Sequence, residues 1–396
     1  MSHVDDLPIH VFVLIDAFGW EIAQRLGFLS DELPYRAPLK TVLGYSSGAI
    51  PTMLTGRSPA EHGHWNLFYY DPEGSPFRWL RRFRDVPNWF LNHRVARKVL
   101  KELGRRVLGL GPLFDCAVSP RLLPYFNWVE KRNIFEPHGI RGAASIFDRL
   151  AVAGVPYRAY SYHDSDDVEI LSRARQDIEA GTATLFFLYL SEVDAFLHHH
   201  VEDDGPLKEK FAVYETGLRT LLATARQRDP GAGFTLFSDH GMAPVRRHHD
   251  LARDIEALGL RVPDDYLAVY DSTMARFWFF SPEARPPIVE RLGSLSCGRV
   301  LADDERQALG ICFADRRYGD LVFLLDPGWL VSSSDFNTRG WMPAGMHGYH
   351  PDDPHSDAIF LSNQEPPVPM RTIADAYVCM AHAAGLLEPT PRAPRS

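Results

Sequence analysis

Several features that would assign this chain to a special class are scarce or missing. Its four cysteines, Cys116, Cys297, Cys312 and Cys379, lie far apart and form no CxxC pair, which argues against a disulfide framework and against a cysteine zinc site. They read as buried thiols. No apolar run approaches the roughly 20 residues that span a bilayer. The first such run, residues 9–15, is too short for a signal-peptide core and leads into no small-residue cleavage pattern, so a cytoplasmic protein is expected. Positive charge is also in short supply. With 42 Lys and Arg against 51 Asp and Glu, the net charge is −9, and no global field attracts duplex nucleic acid or an anionic membrane. Binding of a polyanion then has to come from a local patch or a bound metal. Internal repeats and low-complexity blocks are absent. What is present is apolar: 45% of the 396 residues, 12% aromatic, enough to bury a large core in one large domain with insertions or in two to three smaller ones.

Strand-like and helix-like segments alternate along the chain. Residues 11–15, 184–190 and 234–237 are short continuous apolar runs that read as buried strands, with another short strand at 156–162. Helical spacing covers 20–29, 143–153 and 208–226. This predicts an α/β fold with a mainly parallel central sheet covered by helices on both faces. Two stretches break the rhythm. Residues 65–138 are rich in aromatic and basic side chains, including Arg78, Trp79, Arg81, Arg82, Phe83 and Arg84, then Trp89 and Phe90, and are expected to form an inserted lid. The spacing of these aromatics suggests packing in a core rather than ligand contact. Residues 243–336 carry strand-helix-strand signals of their own and predict a small α+β subdomain inserted into a single catalytic domain covering 1–396. The Pro- and Arg-rich end, 388–396, reads as a frayed tail.

Chemistry concentrates in four short segments. Thr235-Leu-Phe-Ser-Asp239-His240-Gly-Met242 sets an Asp-His pair just after a strand, with Gly241 giving the backbone freedom to turn both side chains toward one ion. Taken alone the pair is weak, since a carboxylate beside a histidine often does no more than fix its tautomer. Asp194 and His198 are four apart and project from the same face of a helix. His347 lies between Gly345 and Gly348, which let the backbone approach a crowded centre. Asp16 ends the first buried strand, where an uncompensated carboxylate is costly and a cation is the natural compensation. Three carboxylates and three imidazoles form a mixed O/N set suited to Zn²⁺, less well to Mn²⁺ or Fe, and fit two ions about 4 Å apart.

The order of these segments resembles the alkaline phosphatase superfamily, and within it the nucleotide pyrophosphatase/phosphodiesterase branch. The likeness runs over nearly the whole chain: Asp after the first strand, a Ser/Thr nucleophile, DxxxH, SDHGM and GxHGY. Thr55-Gly56-Arg-Ser-Pro59-Ala-Glu-His62-Gly63 reproduces the family's TGxxPxxHG, and Tyr69-Tyr70-Asp71-Pro72 resembles the segment that follows it in phosphodiesterase members. The resemblance places the nucleophile nine residues before the Thr of TG, at Ser46, with Ser47 as the alternative because Ser46-Ser47-Gly48-Ala49 replaces the usual Thr-Phe-Pro-Asn. Either serine could instead be a helix N-cap. In related phosphodiesterases an asparagine after the HG pair binds a non-bridging phosphoryl oxygen; Asn66 lies one position before the place gapless counting gives for it, and a turn asparagine is the other reading.

The resemblance further implies an alkaline-phosphatase-like core and division of the ligands into Asp16, Asp239 and His240 for one ion, which also binds Ser46, and Asp194, His198 and His347 for the other. The expected activity is hydrolysis of a phosphodiester or nucleotide pyrophosphate through a phosphoseryl intermediate, on a small-molecule or nucleotide-like ester. A phosphomonoesterase or phosphomutase would use the same ions and nucleophile. A phosphonate or sulfate ester hydrolase fits less well, since the sulfatase-type Cys/Ser-x-Pro-x-Arg signature is absent around Ser46. From another class, the aromatic and basic insertion could bind lipid phosphate or a membrane surface on a retired enzyme fold.

Overall fold

The computed structural model describes residues 7–83, 102, 122–129, 132–332, 334–335 and 341–387. Cys116, Arg84, Trp89, Phe90 and the tail from 388 lie outside the described residues. Two compact units are formed, one from Met1–His64, Arg132–Pro244 and Pro351–Ser396, the other from Trp65–Lys131 and Val245–His350. Among the described residues no helix is long and apolar enough to cross a membrane.

The first unit is built on a six-stranded sheet. Its strands are β1 (His10–Ile15), β2 (Tyr35–Leu39), β3 (Tyr157–Tyr160), β4 (Leu185–Leu190), β5 (Gly233–Phe237) and β6 (Ala358–Ser362), in the order β2-β6-β5-β1-β4-β3. β1 pairs in parallel with both β4 and β5, and β3 in parallel with β4. β6 is antiparallel to β5 and to β2, so five strands run one way and one against them. The central strands are apolar at every position because both faces are covered. Val11, Val13 and Ile15 face one core with Phe186, Leu188 and Leu190, whereas Phe12 and Leu14 face the other with Leu185, Phe187 and Tyr189.

Helices fill both sides, as the alternation predicts. The first core receives α1 (Trp20–Leu26), α5 (Asp167–Ala180), α6 (Glu192–His200) and α7 (Asp204–Arg228), and the second receives α2 (Ser46–Thr55), α4 (Ile146–Ala153) and α8 (Asp375–Ala383), with α3 (Pro59–His62) following α2. Helix ends differ from the sequence reading where a cap intervenes. α1 stops at Leu26 because Gly27 turns left-handed, and α4 starts at Ile146 because Ser145 and Asp148 form a capping box.

In the second unit, a four-stranded antiparallel sheet orders Tyr266–Tyr270, Met274–Phe279, Leu321–Leu325 and Gly298–Val300, with the helix Arg285–Gly293 packing its Ile288 and Leu292 into the same core. Phe68–Tyr70 pairs antiparallel with Phe126–Trp128. Arg78–Phe83 is a 3₁₀ helix; Phe77 just before it and Leu80 three residues on are buried, whereas Trp79 is 41% exposed, so Trp79 is not the core residue its spacing suggested. Arg81 is engaged within this unit, with Glu73, the Pro72 carbonyl and the Tyr125 ring. Of the cysteines, Cys297 and Cys379 are buried, but Cys312 is exposed, since it sits in an irregular segment.

The TGxxPxxHG segment runs from the last residue of α2 through the short helix α3, and the helix ends within it are fixed by local chemistry. Gly56 and Gly63 close α2 and α3 in left-handed conformations, φ 67° and 81°, and Ser58 and Glu61 form the capping box of α3. His62 is fully buried: its Nδ1 accepts from the His64 N–H at 3.2 Å and its Nε2 donates to Thr52 Oγ1 at 3.0 Å, because the Thr52 hydroxyl proton goes to the Gly48 carbonyl. That leaves a neutral ring stapling α3 to α2.

Burial, reinforced by the nearby His64, pushes His62 down to about 3, and burial with His382 does the same to His10, whose Nε2 shares a hydrogen bond with Thr235 Oγ1. Both rings stay neutral when folded but take up protons when unfolded below pH 6.5. Their contribution is therefore complete above 6.5 and is lost on acidification toward 3, at about 1.4 kcal/mol per pH unit for each ring. Urea denaturation between pH 4 and 7 should show His62→Gln with a shallower acid loss than wild type by about one such increment. Parallel pH profiles would show that His62 does not titrate on unfolding.

Candidate active site

Asp16, Asp194 and Asp239 all follow the C-terminal ends of neighbouring strands. β1 lies between β4 and β5, so the turn after β1 carrying Asp16, the helix after β4 carrying Asp194 and the turn after β5 carrying Asp239 open on one edge of the sheet. The turn at Asp16 is strained. Ala17 adopts φ 60°, unusual for a residue with a Cβ, and donates its N–H to Asp239 Oδ1 at 3.2 Å.

Glycines permit the close approach of these turns, though not by the turning freedom expected of Gly241. Neither Gly19 nor Gly241 has a left-handed φ. A Cβ on Gly19 would come within 2.7 Å of Gly241 Cα, and one on Gly241 within 2.1 Å of the His355 carbonyl oxygen. Both positions need the absence of a side chain.

The result is a buried cluster. Asp16, Asp239 and His240 are 5%, 0% and 2% exposed, and each brings a donor atom within 4.8 Å of the others. His240 Nδ1 lies 3.0 Å from the Gly241 carbonyl, which assigns the proton to Nδ1 and aims Nε2 at Asp239 Oδ2 (3.2 Å) and Asp16 Oδ1 (3.7 Å). Burial, followed by the charges of Asp239 and Asp194, holds the Asp16 carboxyl well above the usual carboxylate range. Asp239 Oδ2 is buried and accepts no hydrogen bond from the described residues. A cation fits that need: two carboxylates and an imidazole with its Nε2 turned inward are the donor set of a zinc-type site.

Ser46 opens α2, and the N-cap is Tyr45, so neither Ser46 nor Ser47 caps the helix. Ser46 Oγ lies 3.4 Å from Asp16 Oδ1 and 3.0 Å from His240 Nε2, at a helix N-terminus whose dipole favours an anion. Ser47 is buried.

The Asp194 and His198 pair sits on α6 with His198 Nε2 3.4 Å from Asp194 Oδ2. The start of that helix is held by Asp167, which accepts the N–H groups of Ser191 and Glu192 at 3.0 and 3.1 Å.

His347 and Asn66 belong to the second unit. His347 is 8% exposed and follows the short strand Gly345–Met346. Gly348 takes φ 92° and accepts a hydrogen bond from Thr273 Oγ1, while Tyr349 Oη donates to the Trp329 carbonyl, anchoring the GxHGY loop. Asn66 is fully buried, its Nδ2 3.4 Å from Asp271 Oδ2 and its Oδ1 without a hydrogen bond among the described residues. Asp71 is a turn residue, accepting from Gly74 N and Asn127 Nδ2.

One participant was not singled out from the sequence. Tyr189 Oη, at the end of β4, donates to Asp16 Oδ2. It is hidden in the apolar run Leu185–Leu190, and its only signal is a hydroxyl one position before the strand end.

Comparison with known proteins agrees with this architecture. The murine ectonucleotide pyrophosphatase/phosphodiesterase 5 superposes with a TM-score of 0.66 at 18% identity, over 98% of this chain and 97% of that one. An inactive form of the same murine protein has been solved in complex with AMP. Phosphonoacetate hydrolase from Sinorhizobium meliloti 1021, in complex with phosphonoformate, gives 0.63 at 14% identity, over 96% of each chain. At such identities these likenesses establish the fold, alkaline-phosphatase-like with a mostly parallel sheet. No curated protein matches in sequence. A profile of the type I phosphodiesterase/nucleotide pyrophosphatase family, however, matches residues 38–350. The chain therefore belongs to this metal-dependent family of phosphoester hydrolases within the alkaline phosphatase superfamily.

Proposed function

We propose that the protein is a two-metal phosphodiesterase or nucleotide pyrophosphatase that acts through a phosphoseryl intermediate on Ser46. The observation that carries this reading is the position of Ser46 Oγ, at the N-terminus of α2 and 3.0 and 3.4 Å from His240 and Asp16 beside the buried carboxylates. Asp16, Asp239 and His240 would hold one divalent ion, and Asp194, His198 and His347 the second, a division taken from the family pattern. Zn²⁺ suits the mixed donor set best, ahead of Mn²⁺ and Fe. When bound, the ions supply Lewis-acid charge that lowers the pKa of the serine hydroxyl, stabilises the departing oxygen and activates water.

The chain's own residues then account for the rest. Ser46 Oγ forms a bond to phosphorus as the ester oxygen on the opposite side leaves, its proton passing to solvent. Water cleaves the phosphoseryl ester and returns the serine. The dipole of α2, whose first residue is Ser46, favours the developing negative charge at its N-terminus, and Asn66 would contact a non-bridging phosphoryl oxygen. A nucleotide-like ester is the favoured substrate. In the aromatic and basic stretch, Arg81 is already engaged by Glu73, the Pro72 carbonyl and Tyr125, which favours a small molecule over a lipid surface.

Three measurements test the proposal. Metal analysis after Zn²⁺ loading should give close to two ions per chain, with a higher melting temperature than the chelator-treated protein, because an ion bound only by the folded state stabilises it; Asp239→Asn should lose about one ion. Ser46→Ala should keep its metal and lose at least about 10³-fold in kcat, with Ser47→Ala within a few-fold of wild type. The reverse ranking would move the nucleophile one place. Bis-p-nitrophenyl phosphate should be hydrolysed with higher kcat/KM than p-nitrophenyl phosphate, and a clear preference for the monoester would overturn the diesterase assignment.

A further inference from the structure

The two oxygens of Asp16 have different partners. Oδ1 faces Ser46 Oγ at 3.4 Å and His240 Nε2 at 3.7 Å, whereas Oδ2 accepts the proton of Tyr189 Oη. Tyr189 comes from β4, where it is the register partner of Leu14 on β1, two residues before Asp16. Its ring has little room to move. Phe135 stacks on it with centroids 5.0 Å apart, and Tyr162 meets it edge-on at 5.9 Å.

We infer that Tyr189 is a positioning residue for the ion-binding carboxylate: by occupying Oδ2 it confines Asp16 to one-oxygen ligation through Oδ1 and holds that oxygen on the Ser46 side. The inference rests on the two-ion reading above. A phenol suits this task because it donates one directional hydrogen bond, adds no formal charge to a crowded acidic site, and is carried on a ring that packing can immobilise. Without the hydroxyl, the carboxylate can rotate and offer both oxygens. Two-oxygen ligation is common for larger, oxygen-preferring ions and is not needed by a small tetrahedral one. Tyr189 therefore favours Zn²⁺ over Ca²⁺ at this position.

The test is Zn²⁺ affinity, measured by competition against a chromophoric chelator, for wild type, Tyr189→Phe and Tyr160→Phe. The last is the control: it deletes a tyrosine hydroxyl on the adjacent strand that donates to Asp177 Oδ2 at 2.6 Å, away from the carboxylate cluster. Tyr189→Phe should weaken one of the two ions by at least about tenfold, in the range found for groups that orient metal ligands. Tyr160→Phe should leave both unchanged, and Ca²⁺ affinity should fall less than Zn²⁺ affinity in Tyr189→Phe. A folded Tyr189→Phe protein within about twofold of wild type, or an equal loss in both variants, overturns the inference. Should Tyr189→Phe fail to fold, Phe135→Leu keeps the hydroxyl but loosens the ring; weakening of the same ion supports the inference and unchanged affinity overturns it. Wild-type protein that takes up no metal would sink the two-ion reading itself, whereas normal uptake beside an indifferent Tyr189→Phe would remove only the role given to Tyr189.

Discussion

The accumulation of negative charge at one end of the central sheet is the constraint around which the first unit is organised. Parallel pairing of β1 with β4 and β5 brings three strand ends side by side, and Asp16, Asp194 and Asp239 follow those ends. Two unit charges 4 Å apart repel by about 4 kcal/mol even at an effective dielectric constant near 20, so the cluster needs protons, hydrogen-bond donors or cations. Donors are present in part: the Ala17 N–H for Asp239 and the Tyr189 hydroxyl for Asp16. They leave Asp239 Oδ2 without a hydrogen bond among the described residues. The strained backbone at Ala17 and the glycine contact between Gly19 and Gly241 are the local costs of holding these groups together.

Much of the family motif around Ser46 serves architecture. Gly56, Pro59, His62 and Gly63 of the motif, with Thr52, Ser58 and Glu61 beside them, cap, close or staple two helices, and none of them needs to meet a substrate for its presence to make sense. Their common effect is to fix the axis of α2, and with it the direction in which Ser46 leaves the first turn. A motif can thus be diagnostic of an enzyme family while most of its letters perform packing and hydrogen bonding. The same holds for GxHGY, where Gly348 and Tyr349 shape and anchor the loop that carries His347.

Those features were legible in the sequence to different degrees, for physical reasons. β1, β4 and β5 could be read because strands buried on both faces are apolar without interruption, and the carboxylates could be read because charge just beyond such runs is costly. β2 could not: Tyr-Arg-Ala-Pro-Leu is half polar and contains proline, as suits an edge strand. β6 is apolar, but an apolar run carries no information about direction, so its antiparallel insertion had no signature. Tyr189 was masked by its own strand. Trp79 was misread because helical spacing was assumed where the chain adopts a three-residue period. The need for Gly241 was legible, but its cause, a backbone packed against the site of a missing Cβ, required the fold.

The place of β6 also bears on synthesis. Residues 358–362 form the strand that joins β2 to β5, and Ile359 donates its N–H to Ser238 Oγ, next to Asp239. A nascent chain that has already emitted every strand through β5 therefore still lacks the piece that closes its sheet and braces the turn bearing Asp239 and His240. Local helices can form early, but this long-range pairing waits until residues 358–362 have been made. Truncated chains released before residue 362 would therefore lack the strand that supports the turn carrying Asp239 and His240.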